Sequence, residues 1–145
     1  MIAALEVRGS YLDVGCGTDQ MLAFARGLGF CPVVGVDHAS AGADAVAQVH
    51  ALPFRDKSFD VVVMLDVIEH LVRGDDELAC RELGRVARKL IVVSANNRPS
   101  VWLGKDLHIN KRDYGEWDTN FKKWLPGSVR RMDRGFSSPI WQAFL

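Results

Sequence analysis

This 145-residue chain has no apolar run near the roughly 20 residues that cross a bilayer, so no membrane partner is expected. Its first ten residues, MIAALEVRGS, have no basic start and reach an apolar strand too soon for a secretory signal. Three cysteines, Cys16, Cys31 and Cys80, form no CxxC pair, and their odd number points to reduced thiols and a cytoplasmic setting. Charge of a single sign is also missing. Eighteen Lys and Arg balance eighteen Asp and Glu, which argues against a nucleic-acid partner on charge alone. The balance is uneven, however: residues 98–134 hold nine cations and five anions, a solvated surface or a place for an anionic substrate. There is no internal repeat, no low-complexity segment and no GxxxxGK phosphate loop.

What is present alternates between strand and helix. YLDV (11–14) breaks into Gly15-Cys16-Gly17-Thr18, and an apolar-periodic helix follows from Met21. CPVVGVD (31–37) reads as a buried strand. SAGADAVAQ (40–48) reads as a short helix capped by Ser40, and VHALPF (49–54) as a brief strand. VVVML (61–65), apolar on both faces, has the pattern of a parallel strand covered on both sides. A helix is expected from Asp66 or Val67 to Gly74, then a longer one from Asp75 on which Leu78, Leu83, Val86, Ala87 and Leu90 recur at helical spacing. LIVVSA (90–95) makes a fifth strand, and the tail fits a helix near 111–125 and strands near 128–134 and 139–145. The fold class is therefore α/β, with a mostly parallel sheet in a single domain over 1–145.

Three readings compete for the glycine turn. A dinucleotide fingerprint, GxGxxG, asks for a third glycine at position 20, which is Gln20. A purely structural strand-to-helix turn is the second. The third is S-adenosylmethionine (SAM), which has no pyrophosphate: its ammonium group wants a carboxylate, which Asp13 can supply, and its ribose an acid such as Asp37. Asp37 alone does not separate SAM from NAD, since both carry a ribose there.

YLDVGCGT, VVGVD, VHALPFRDKSFDVVVMLDVIEHL and RELGRVARKLIVVSANN, in this order over residues 11–97, resemble successive motifs of class I SAM-dependent methyltransferases. The resemblance implies a Rossmann-like sandwich around a seven-stranded sheet of order 3-2-1-4-5-7-6 with the last strand antiparallel. It implies that Asp13, Gly15, Cys16 and Gly17 hold the methionine part of SAM and Asp37 the ribose. It places adenine beside His38, Val49 and His50, and methyl transfer near Leu65 and Asp66. Three departures stand out. Asp19 replaces a loop glycine usual in the family, Gln48 replaces an acid that reads adenine, and the segment before the first strand is about ten residues. The last implies an open cofactor site, or one covered by the second subunit of a homodimer.

Methyl transfer is an in-line displacement leaving S-adenosylhomocysteine (SAH), and a base is required only where the nucleophile must lose a proton. Asp66 and His108, the latter after the fifth strand, are the candidate catalytic residues. His70 reads as a structural residue of VIEHL. On a helix Asp66, Glu69 and His70 would share one face, and with His108 they resemble the metal-binding set of small-RNA 2′-hydroxyl methyltransferases. Asp66 has a shorter reach than the Glu usual there, so no metal is expected. The acceptor is unidentified, with a small molecule favoured. A non-catalytic SAM-binding partner subunit, the RNA methyltransferase and an NAD-type oxidoreductase are the alternatives.

Overall fold

The computed structural model describes residues 7–39, 42–133 and 138–145. Strands β1 (Tyr11–Val14), β2 (Val33–Asp37), β3 (Ala45–Val46), β4 (Phe59–Met64), β5 (Ala87–Ser94), β8 (Ser128–Met132) and β9 (Ile140–Phe144) form one sheet, in the order β3-β2-β1-β4-β5-β9-β8. The first five pair in parallel, and β9 runs antiparallel to both β5 and β8. Counting this sheet's strands alone gives 3-2-1-4-5-7-6, the expected order. A separate hairpin, β6 (Val101–Trp102) with β7 (Lys105–Asp106), stands outside the sheet.

Alternation along the central strands divides the core in two. From β4, Val62 and Met64 join Ile91 and Val93 of β5 against α2 (Asp75–Val86) and α3 (Tyr114–Trp124), which contribute Leu83, Val86, Trp117 and Phe121. The opposite-facing Val61, Val63 and Val92 meet Leu22 and Ala25 of α1 (Gln20–Gly27). Every residue of β4 is buried, as an unalternating central strand requires.

Three local expectations are corrected. Residues 42–48 form a turn and the edge strand β3 rather than an Ala-rich helix. The Asp44 carboxylate accepts the Gly35 amide at 2.8 Å and the Ala47 amide donates to Asp37 at 3.0 Å, so pairing with β2 overrides a weak helix propensity. Ser40, the expected cap, lies outside the described residues, as do residues 1–6. Residues 49–54 are turns and bends, not a strand. In place of a helix from Asp66 there is one 3-10 turn, Ile68–His70, because Asp66 takes φ 54° and is tied to β5: its amide meets Ser94 Oγ at 2.8 Å, and that hydroxyl donates to Asp66 Oδ1 at 3.2 Å.

At the N-terminal ends of β4 and β5, Asp60 accepts the Ser10 amide at 2.9 Å and pairs with Arg88 and Lys89 at 3.2 and 3.0 Å. Burial opposes its ionisation, but the Ser10 and Lys89 hydrogen bonds and the Arg88 charge outweigh it and hold the carboxyl at about 2.

Candidate active site

A cavity of about 600 Å³ opens at the C-terminal ends of β1, β2 and β4. This is where the chain order reverses, with β2 on one side of β1 and β4 on the other. Open parallel sheets bind ligands at such a point. One half of the lining is Gly15, Asp37, His38, Gln48 and Val49; the other is Asp66, Val67, His70 and Leu71, with Lys105 to Leu107 and Ile109 completing it.

The glycine turn is built tightly. The amides of Gly15 and Cys16 both donate to the Val36 carbonyl, at 2.8 and 3.0 Å, and the Gly17 amide donates to Asp37 Oδ2 at 3.1 Å. Gly15 has φ +80°, and a Cβ there would sit 2.4 Å from Val67 Cγ2. Gly15→Ala is therefore expected to cost about 1–3 kcal/mol in chemical denaturation and to push Val67 into the cavity. Sequence reading missed Gly35, where a Cβ would meet Leu22 and Cys16 Sγ at 2.6 and 2.9 Å; only glycine lets the turn lie on β2. Asp19 holds the left-handed conformation (φ 66°) that the family's usual glycine would take readily. Its side chain is exposed and outside the cavity lining.

Asp37 also accepts the Ala39 amide, at 3.0 Å, so its carboxylate is oriented by backbone on both sides. Asp13 is buried behind the turn. Burial and then the neighbouring Asp37 charge push its carboxyl up to about 6, an environment suited to a cation. Burial likewise raises the Cys16 thiol, whose side chain packs in the α1-side core. Cys16, Gly17, Asp13, His50 and Leu65 do not line the cavity, although each lies within two residues of one that does or in contact with it through the turn. Leu65 packs against the α1-side core, and His50 lies near Glu82.

On the other half, His70 lines the cavity and is exposed, whereas His108 is buried behind it. The rings meet edge to face at 4.7 Å. His70 Nδ1 contacts the Leu107 carbonyl at 3.0 Å, and His108 Nδ1 the Arg98 carbonyl at 2.6 Å. A carbonyl only accepts, so each Nδ1 carries the proton and each Nε2 keeps its lone pair in the neutral ring. The loop bearing His108 is anchored by Asp76 at the start of α2. Asp76 accepts Asn110 Nδ2 at 2.8 Å and pairs with Arg112, whose guanidinium lies between Trp117 and Trp124.

Glu69 does not join these groups. It is fully buried, and neither carboxylate oxygen makes a hydrogen bond of good geometry. Burial pushes its carboxyl up to about 7; the amides of Glu69 and Asn96 offset part of this and the Asp66 charge adds to it. With Asp66 tied to Ser94, Glu69 turned inward and His70 turned outward, the shared face expected of a helix does not form. Among the described residues no three His, Cys, Asp or Glu side chains are grouped to hold a metal ion.

A family model described as methyltransferase domain matches residues 12–90, over half of the chain. The chain belongs to this methyltransferase family. It is a class I SAM-dependent methyltransferase, an enzyme whose cofactor is SAM. Among solved structures, the PH0226 protein from Pyrococcus horikoshii is 16% identical, with 97% of this chain and 84% of that one covered at a TM-score of 0.79. A methyltransferase candidate from Haloferax volcanii, in complex with the Trm112 methyltransferase activator, is 14% identical over 99% and 86% of the two chains, at 0.77. A TehB-like SAM-dependent methyltransferase from Corynebacterium glutamicum is 16% identical over 99% and 85%, at 0.72. At these identities the likeness concerns the fold. No curated protein matches the chain. The methyltransferase sandwich has no helix, among the described residues, long and apolar enough to cross a membrane.

The residues present fit SAM. The cavity volume lies within the range of small-ligand sites, Asp37 lines it with its carboxylate already oriented, and Gly15 leaves a cradle that a Cβ would fill.

Proposed function

We propose that the methyltransferase acts on a small-molecule acceptor whose nucleophile lies against Asp66 and His70. The observation that carries this is one continuous cavity running from Asp37 to those two side chains. In this reading Asp37 binds the ribose hydroxyls, Asp13 the ammonium group through the turn, and His38, Gln48, Val49 and His50 surround adenine. Gly15, Cys16, Gly17 and Leu65 shape the methionine end. When bound, SAM supplies an electrophilic methyl group on a sulfonium.

The chain's own side chains do the rest. Val67, Leu71, Leu107 and Ile109 give the acceptor half an apolar wall, which favours a displacement that disperses charge. His70 Nε2 takes the proton that the acceptor's nucleophile releases, and Asp66 orients the nucleophile. In this reading His108 supports the His70 ring rather than taking the proton, since its ring meets that of His70 edge to face and lies outside the cavity lining. No metal enters this scheme.

Thermal melting of the protein with SAM, SAH or NAD tests the cofactor half. Either SAM or SAH at a hundredfold excess over its Kd should stabilise the fold by about 2.7 kcal/mol, with no shift from NAD. Stabilisation by NAD and none by SAM or SAH would discard the reading. SAH release across a panel of small-molecule acceptors then tests the acceptor half, and release with macromolecular acceptors alone would discard it.

A further inference from the structure

We propose that the β6–β7 hairpin is a lipid-surface anchor whose tip, Val101-Trp102-Leu103, enters an anionic membrane interface. The hairpin carries Val101 and Trp102 at 66% exposure and Leu103 at 84%, and two more exposed apolar residues, Leu107 and Ile109, follow at its base. Successive strand residues point to opposite faces, so Val101 and Trp102 bare apolar surface on both sides of the ribbon. A protein docking on one face would leave the other in water. A fluid interface surrounds both.

The turn itself favours this occupant. Leu103 and Gly104 have φ of 48° and 76°, the pair of positive values of a two-residue hairpin turn that prefers Asn, Asp or Gly at its first position. A branched apolar residue is a poor choice there for the backbone, and it is the most exposed large apolar side chain described. Charge agrees. Residues 97–111 hold Arg98, Lys105 and Lys111 against Asp106 alone, and Asp106 is already paired with Lys111. Lys105 lies directly across from Trp102, the pairing of aromatic ring and cation that suits the boundary between lipid headgroups and acyl chains. The anchor would lie on the membrane rather than span it. Because Lys105 to Leu107 line the cavity, its mouth would then face the surface, so an acceptor could enter from the lipid phase.

Sedimentation of the full chain with large phosphatidylcholine vesicles, with and without a minority of phosphatidylserine, tests this. The protein should pellet with the anionic vesicles, less as salt is raised, and only weakly with the neutral ones. Replacing Trp102 and Leu103 together by Ser should lower the partition at least about tenfold, with melting temperature and SAH affinity unchanged. Leu103→Asn separates anchoring from folding: it should melt no lower than the parent, since Asn tolerates the turn, yet bind vesicles more weakly. Absence of binding to anionic vesicles, or binding untouched by both variants, would overturn the proposal. So would a self-association lost in the double Ser variant without vesicle binding, which would assign the tip to a second copy of the chain.

Discussion

Asp37→Ala should lower the affinity for SAH roughly ten- to hundredfold in isothermal titration. A hydrogen bond to a charged group contributes about 1.5–3 kcal/mol, and the ribose would lose its charged acceptor. The structure adds a second consequence that strand position alone does not suggest. The same carboxylate accepts the Gly17 and Ala39 amides, so its removal frees both the glycine turn and the β2 exit. Unfolding stability should fall as well, by about 1–3 kcal/mol. Asp37→Asn keeps one acceptor oxygen and should lie between the two on both scales. An Ala variant with parental SAH affinity would remove Asp37 from the cofactor site.

Glu69→Gln should reverse its effect on stability with pH. The folded carboxyl sits at about 7 against an ordinary 4.5, so the folded state holds this proton more tightly than the unfolded chain does. Its contribution is therefore complete below about pH 4.5 and is lost as pH rises through 7. Over that window the parent should lose on the order of 3 kcal/mol that the variant does not lose. Gln brings a buried amide with few partners, at a cost of about 1–3 kcal/mol at every pH, so the variant should be the less stable protein at pH 4.5. By pH 8 it should have gained roughly 6–12 °C in melting temperature relative to the parent. Asp13, raised to about 6, shifts stability in the same direction but is present in both proteins and drops out of the difference. Parallel melting curves for the two proteins across this range would show that Glu69 is ionised in the fold.

Much of the fold was legible because its signals are local. The strand-turn-helix at 11–27 follows from apolar runs broken by glycine, and the apolar run VVVML (61–65), most of it in β4, announces a buried parallel strand. Where the reading failed, long-range pairing won. Ala45 and Val46 join the sheet edge because Asp44 and Ala47 bond to β2, which no window of nine residues contains. Ala87 and Leu90 fit the helical spacing of α2, yet belong to β5, which starts with no intervening loop. The site divides in the same way. Asp37, Gly15 and Val49 were placed by motif order, and all line the cavity. His70 reads as structural and His108 as available; that His70 lines the cavity while His108 is buried behind it depends on the positive φ of Asp66 and on an Asp76–Arg112 anchor 36 residues apart in sequence. The β6–β7 hairpin had no Asn-Gly or Asp-Gly to announce its turn.

The most direct measurement is a crystal structure of the methyltransferase grown with SAH. The account predicts the ribose hydroxyls on Asp37, adenine among His38, Gln48 and Val49, and the sulfur facing Asp66 and His70. A ligand bound away from this cavity, or within it but out of contact with Asp37, would contradict it.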